Sequence, residues 1–271
     1  MSAASDPAMG LGLRTFFDEA TNTVSYLAWD PATLRGAVID PVLDWDNRSG
    51  EADTRAADAV LAAARQTGVT LDWVLETHVH ADHLTASPYI KARTGARIGI
   101  GEGIRAVQTI FRPVFEAHDL LPDGGDFDHL FTDNEEFRIG SLPVRVLHVP
   151  GHTPACVAYV VAATPAVAFI GDTLFMPDYG TARCDFPGGD ARVLWRSIHR
   201  LLRCRRRPGC SPATTTRRPV VTISLGRARW PNSAPAIRTS RMAAPRTNSS
   251  RCARRAMRSC RRRCCCCPPS R

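Results

Sequence analysis

Lysine is almost missing from this chain of 271 residues: Lys91 stands alone among the basic residues, the other 34 being arginine. That bias points to G+C-rich coding DNA. Cysteine is scarce through residue 202, where only Cys156 and Cys184 occur, which excludes a disulfide framework and fits a reducing compartment. No apolar run is long enough for a membrane span: the longest, Val157 to Ile170, is interrupted by Thr164-Pro165. Residues 1–12 have neither a basic segment nor an apolar core, so no secretory signal is visible and a cytoplasmic protein is expected. Acidic residues stop altogether after position 202. From Arg203 to Arg271 there are 19 arginines and no Asp, Glu, Lys or His. Residues 1–202 therefore hold all 26 acidic residues against 16 basic ones, a net charge of −10, while the remainder carries +19. The total of +9 and pI near 9.4 would on their own suggest a nucleic-acid partner. Divided in this way, they describe neither part, and nucleic acid is not expected as a partner of the acidic body.

Within 1–202 the pattern is that of an α/β layered protein. Leu13 to Phe17, Val24 to Trp29 and Ala37 to Asp40 are rich in β-branched and aromatic residues and end at turn signals. Asp53 to Gln66 has helical apolar spacing with Gly68 as a stop, and Leu71 to Glu76 reads as a strand. Ala86 to Arg93 reads as a helix closed by Gly95, followed by a strand at Arg97 to Ile100 and a helix over 102–111. Residues 112–135 are polar and rich in Gly and Asp, which predicts a long loop beside an active site. Strands are predicted at Phe137 to Ile139, Val144 to His148, Val157 to Val161 and Ala166 to Ile170, then a helix from Asp190 to Leu202.

Chemistry concentrates at the ends of these strands. Thr77-His78-Val79-His80-Ala81-Asp82-His83 follows the strand at 71–76. Side chains alternate along a strand, so His78 and His80 leave it on the same side. Imidazole and carboxylate together are ligands for zinc or iron. Two more strand ends offer His152, in Pro150-Gly151-His152-Thr153-Pro154, and Asp172, in Gly171-Asp172. His152 alone reads equally well as an ordinary turn, and Asp172 alone is a weaker signal still, because Gly-Asp commonly marks a turn. In order after the first run, they form a constellation.

That order, His78-x-His80-x-Asp82-His83, His152, Asp172, resembles the metallo-β-lactamase superfamily over residues 13–202. The segments Ile39-Asp40-Pro41-Val42, Pro150 to Cys156 and Gly180 to Phe186 are most similar to its persulfide dioxygenase and β-lactamase hydrolase-like branch. The resemblance implies an αββα sandwich with a metal at its upper edge. It implies one Fe(II) held by His78, His152 and Asp172, with His80 and Asp82 among the catalytic surroundings and His83 beside them as outer hydrogen-bond partners. It implies oxidation of glutathione persulfide by O2 to sulfite, as in sulfide detoxification, with Arg183 and Tyr179 on the substrate side. Arg183 reads equally well as the partner of Asp185 or Asp178, and Cys184 as an inert thiol. The alternative within the superfamily is a dizinc hydrolase of thioesters or lactams, which would add His80, Asp82 and His83 as Zn2+ ligands. The partner expected is a small thiol; no membrane partner is expected, and a homodimer is left open.

The superfamily pattern also expects a last histidine in a Cys-His-Asp-Tyr-like segment shortly after residue 202. No histidine follows His199. Regrouping codons one nucleotide upstream allows Arg203-Cys204-Arg205 to become Ala-Leu-Pro. It likewise allows Cys210 to Thr216 to become Val-Leu-Thr-Cys-His-Asp-Tyr. The expectation is a domain over 1–202, C-terminally incomplete, and an Arg/Cys/Pro-rich tail over 203–271 that is out of frame and disordered. A basic nucleic-acid arm or a metal-binding cysteine cluster are the other readings of that tail, and an inactive, truncated product is a third reading of the whole chain.

Overall fold

The structure is a computed structural model and describes residues 10–164, 166–175 and 180–204. In chain order its elements are β1 (Gly12–Asp18), β2 (Thr23–Trp29), β3 (Arg35–Ile39), β4 (Val42–Asp46), β5 (Glu51–Asp53) and α1 (Arg55–Thr67). There follow β6 (Thr70–Leu75), β7 (Leu84–Thr85), α2 (Ser87–Thr94), β8 (Arg97–Gly101) and α3 (Ile104–Phe111). The second half has β9 (His129–Phe131), β10 (Glu136–Ile139), β11 (Leu142–His148), β12 (Val157–Val161), β13 (Val167–Phe169), a single 3-10 turn (Gly171–Thr173) and α4 (Ala191–Cys204).

Two large sheets face each other. One has six strands in the order β1-β2-β3-β6-β8-β9, and the other four in the order β10-β11-β12-β13. Strand alternation sorts the side chains between layers. From β2, Val24, Tyr26 and Ala28 enter the core between the sheets, where they meet Val146, Tyr159 and Phe169. Leu27 and Trp29, of opposite parity, face α1 through Val60, Leu61 and Ala64. On the far side Leu201 of α4 packs against the cluster of Leu147, Val149 and Ala158. The layers therefore run helix, sheet, sheet, helix, the αββα sandwich expected. Both predicted stops hold: α1 and α2 end at Gly68 and Gly95 with φ of 71° and 73°, the left-handed region that favours glycine.

Some elements differ from the expectation. The small sheet β5-β4-β7 was not foreseen, and its pairing of Asp53 with Asp44 delays the first helix to Arg55. The loop predicted over 112–135 contains β9, whose Phe131 is fully buried against Trp73 and Phe137. Three residues are too few to show alternation, and tertiary burial makes the strand. The last helix runs two residues past the expected boundary, to Cys204. Tyr179, Asp178 and the tail from 205 onward lie outside the described residues.

Candidate metal centre

Three segments deliver the candidate ligands to one edge of the sandwich. His78 follows β6, His152 lies in the loop between β11 and β12, and Asp172 sits in the 3-10 turn after β13. The two sheets are joined at this edge, since Val157 N donates to Thr77 O at 2.9 Å. His152 is pressed into place by α4: Asp190 N donates to Gly151 O at 2.9 Å and Ser197 Oγ to Pro150 O at 2.6 Å. Asp190 also caps α4, its Oδ1 accepting the amides of Arg192 and Val193 at 2.7 and 2.8 Å. Gly151 has φ of 134°, and any β-carbon there would run into the backbone of Leu194.

His78 Nε2 and His152 Nε2 lie 3.8 and 3.7 Å from Asp172 Oδ2. The three ligand atoms are all within 4.8 Å of one another. Separations of this order suit three donors that share one ion through bonds of about 2.0–2.2 Å. The rings are also turned correctly. His152 Nδ1 is 2.6 Å from the carbonyl of Arg183, which only accepts, so Nδ1 carries the proton and Nε2 its lone pair. His78 Nδ1 is 3.0 Å from Thr77 Oγ1. Burial, then the nearby His80, His152 and His83, hold the His78 pKa well below the ordinary histidine value, which keeps it in the neutral, ligating form. Burial raises the pKa of the Asp172 carboxyl, helped by Asp82 and Asp40 and opposed by His80 and His152. A bound cation would favour its ionised form. Donor type, spacing and ring orientation thus fit a two-histidine, one-carboxylate metal site.

Around this trio stand the remaining members of the run. His80 Nε2 faces Asp40 Oδ1 at 3.2 Å and Glu76 Oε2 at 3.4 Å. Burial lowers its pKa, but the two carboxylates outweigh that and raise it well above the ordinary value. Asp82 and His83 pair with each other at 3.3 Å, and Thr23 Oγ1 lies 3.5 Å from Asp82 and 3.4 Å from His83. His83 Nε2 is buried and has no hydrogen-bond partner among the described residues. His80, Asp82 and His83 form a second group whose ligand atoms lie within 4.8 Å of each other.

Asp40, Glu76 and Thr77 were not singled out by role, although an Asp-Pro at a strand end and a Thr leading the ligand run were visible. Glu76 Oε1 accepts hydrogen bonds from Thr85 and Ser87, fastening the ligand loop to the start of α2. Arg183 is brought to the site chiefly by its carbonyl. Its guanidinium forms a bidentate pair with Asp185 at 2.7 and 2.9 Å and lies 4.7 Å over the Phe186 ring. The thiol of Cys184 has its pKa raised by burial and by Asp185 and Asp190, and Cys156, buried beside Thr153, is pushed up to about 12. Both shifts favour the protonated thiol.

No described helix is long and apolar enough to cross a membrane. Residues 19–208 match the family model of the metallo-beta-lactamase superfamily. A probable metallo-hydrolase of Burkholderia pseudomallei is 51% identical over 195 residues, which cover 69% of this chain and 66% of that protein. The human mitochondrial persulfide dioxygenase ETHE1 is 29% identical over 187 residues, covering 69% of this chain and 61% of that one. The crystal structure of ETHE1 from Myxococcus xanthus superposes with a TM-score of 0.55 at 30% identity, covering 70% of this chain and 69% of the other. This chain thus spans less than two thirds of the length of either sequence relative. Members of the superfamily are metal-dependent enzymes, hydrolases and dioxygenases alike. Fold, ordered ligand series and family match agree over the same stretch, and the chain belongs to the metallo-beta-lactamase superfamily.

Proposed function

We propose that this domain is an Fe(II)-dependent persulfide dioxygenase, in which glutathione persulfide, O2 and water give glutathione and sulfite. The observation that carries the reading is the trio of His78, His152 and Asp172, both of whose rings are tethered at Nδ1. Bound there, Fe(II) would supply open coordination positions and a redox change that zinc lacks. The protein's part is to hold that geometry. His78 and His152 present Nε2, Asp172 adds the carboxylate, and His80 and Asp82 form the polar wall beside them. Arg183 would exchange its pair with Asp185 for a carboxylate of the glutathione moiety, a bidentate swap that guanidinium geometry favours. Tyr179 is proposed as a pocket wall on sequence resemblance alone. The name of the human relative supports the reaction class.

A second reading is a dizinc hydrolase of thioesters or lactams. The group of His80, Asp82 and His83 favours it, as does the name of the Burkholderia relative. Metal analysis of purified protein combined with oxygen uptake on glutathione persulfide separates the two. About one iron per chain with uptake is the expected result. Two zinc per chain with thioester cleavage and no uptake would reject the dioxygenase. For the chain from about Arg203 onward we propose translation out of frame. Resequencing that confirms the frame through Arg271 would remove this proposal, and metal-free insoluble protein would mark an inactive product.

A further inference from the structure

We propose that Thr77 and Asp40 form a relay that sets the tautomer of His78 and so decides which ring nitrogen meets the metal. The inference rests on the reading of His78, His152 and Asp172 as the metal ligands. It follows from counting protons. Asp40 is buried, and both of its carboxylate oxygens act as acceptors. Its Oδ1 takes the Thr77 amide at 2.7 Å and its Oδ2 takes the Thr77 hydroxyl at 2.8 Å. A hydroxyl has a single proton, and Thr77 has given it to Asp40. Toward His78 Nδ1, 3.0 Å away, Thr77 Oγ1 therefore has only lone pairs to offer. His78 must donate from Nδ1, which leaves Nε2 unprotonated and facing Asp172.

Two further features protect the relay. Asp40 adopts φ of 48°, a left-handed conformation costly for a residue with a side chain, and it is held there with its amide bonded to Leu75 O at 2.9 Å. Gly171, directly before the ligand Asp172, has φ of 50°, and a β-carbon on it would collide with the Thr77 hydroxyl and lie 3.3 Å from His78 Nδ1. The turn that delivers Asp172 thus has to lack a side chain where the relay passes. Outer partners of this kind are worth about 10–100-fold in metal affinity.

The test uses Co(II) as probe, with affinity measured by chelator competition on the full chain. Thr77→Val should weaken Co(II) binding about 10–100-fold, while Thr77→Ser, which keeps the hydroxyl, should restore it. Equal affinity in all three proteins, or equal loss in both variants, would overturn the relay, the latter result marking a packing role. His78→Ala and Asp172→Ala serve as the control: binding that survives both rejects the ligand trio itself, whatever Thr77 does. Should Thr77→Val fail to fold, 15N shifts of the wild-type protein without metal read the tautomer directly. A proton on His78 Nδ1 supports the relay, and a proton on Nε2 contradicts it.

Discussion

Asp30 and Asp40 stand at opposite ends of β3, and each is the hub of a nearly identical arrangement. Asp30 accepts from Ala32 N, Thr33 Oγ1, and both the amide and hydroxyl of Ser141, all between 2.7 and 2.9 Å. Asp40 accepts from Thr77 N, Thr77 Oγ1 and His80 Nε2 between 2.7 and 3.2 Å. Each hub also has a glycine pressed against its threonine, Gly140 with φ of 59° and Gly171 with φ of 50°. The first hub staples the turn between β2 and β3 to the turn between β10 and β11, and so holds the two sheets together at one rim. The second ties the ligand loop to the end of β3 at the other. The same elements, an aspartate, a threonine and a space-saving glycine, join the two sheets at one end and, in our proposal, orient a ligand at the other. What separates them is the presence of imidazoles at the Asp40 end.

The largest effect should come from the ligands that only this end possesses. His152→Ala or Asp172→Ala is expected to cost more than the roughly 100-fold ceiling typical of outer partners in ion affinity. Equilibrium dialysis that finds the ion still bound would erase the contrast between the rims. Next come the two glycines. Alanine at either position meets both a positive φ and a filled space, for which about 2–4 kcal/mol of destabilisation is expected. Gly140→Ala should lower the melting temperature and leave metal affinity unchanged, whereas Gly171→Ala should lower both. Parallel melting and metal titrations decide whether the hubs differ as described.

Much of the second rim was legible in the sequence, and the reason is local. His78 and His80 share a face by the two-residue period, and each ligand stands just past a recognisable strand, so topology gathers them without further information. The hubs were not legible. Asp40 and Thr77 are 37 residues apart, and Asp30 and Ser141 are 111 apart, so each contact depends on how whole sheets stack. Arg183 shows a different obstacle. Its type suggested a guanidinium holding a substrate carboxylate, while its described part toward His152 is played by the carbonyl that every residue carries. A backbone role leaves no mark in residue type. Asp185, one of the two carboxylates that the sequence offers to this side chain, is the one found in the bidentate pair.

Asp30 gives a smaller, pH-dependent effect. Burial raises the pKa of its carboxyl, but the hydrogen bonds from Ser141, Ala32 and Thr33 outweigh this and hold it down to about 2, against an ordinary 3.8. A pKa depressed by folding means stability that is fully present above about pH 4 and is lost as pH falls from there towards 2. Discounted for screening, its contribution at neutral pH is about 1–2 kcal/mol. Asp30→Asn should be less stable than wild type by about that amount at pH 7, and the gap in chemical denaturation should close as pH falls from 4 to 2. A gap independent of pH would show that charge is irrelevant to this staple.

The smallest effect on the metal is expected from His83. Its ring is buried at the Asp40 end, yet among the described residues Nε2 has no hydrogen-bond partner and Nδ1 lies 3.3 Å from Asp82 and 3.4 Å from Thr23. Neither is a hydrogen bond to His78, His152 or Asp172, and the ring reaches the trio only through its packing on His80, at 4.2 Å between centroids. If the site holds one ion, His83→Ala removes packing and leaves iron content at one per chain, with affinity changed less than the roughly 10-fold lower bound for an outer partner. If the site holds two, the same substitution deletes a ligand, and metal content falls from two zinc per chain towards one. Metal analysis of this single variant therefore tests whether the unpartnered nitrogen belongs to a wall or to a second centre.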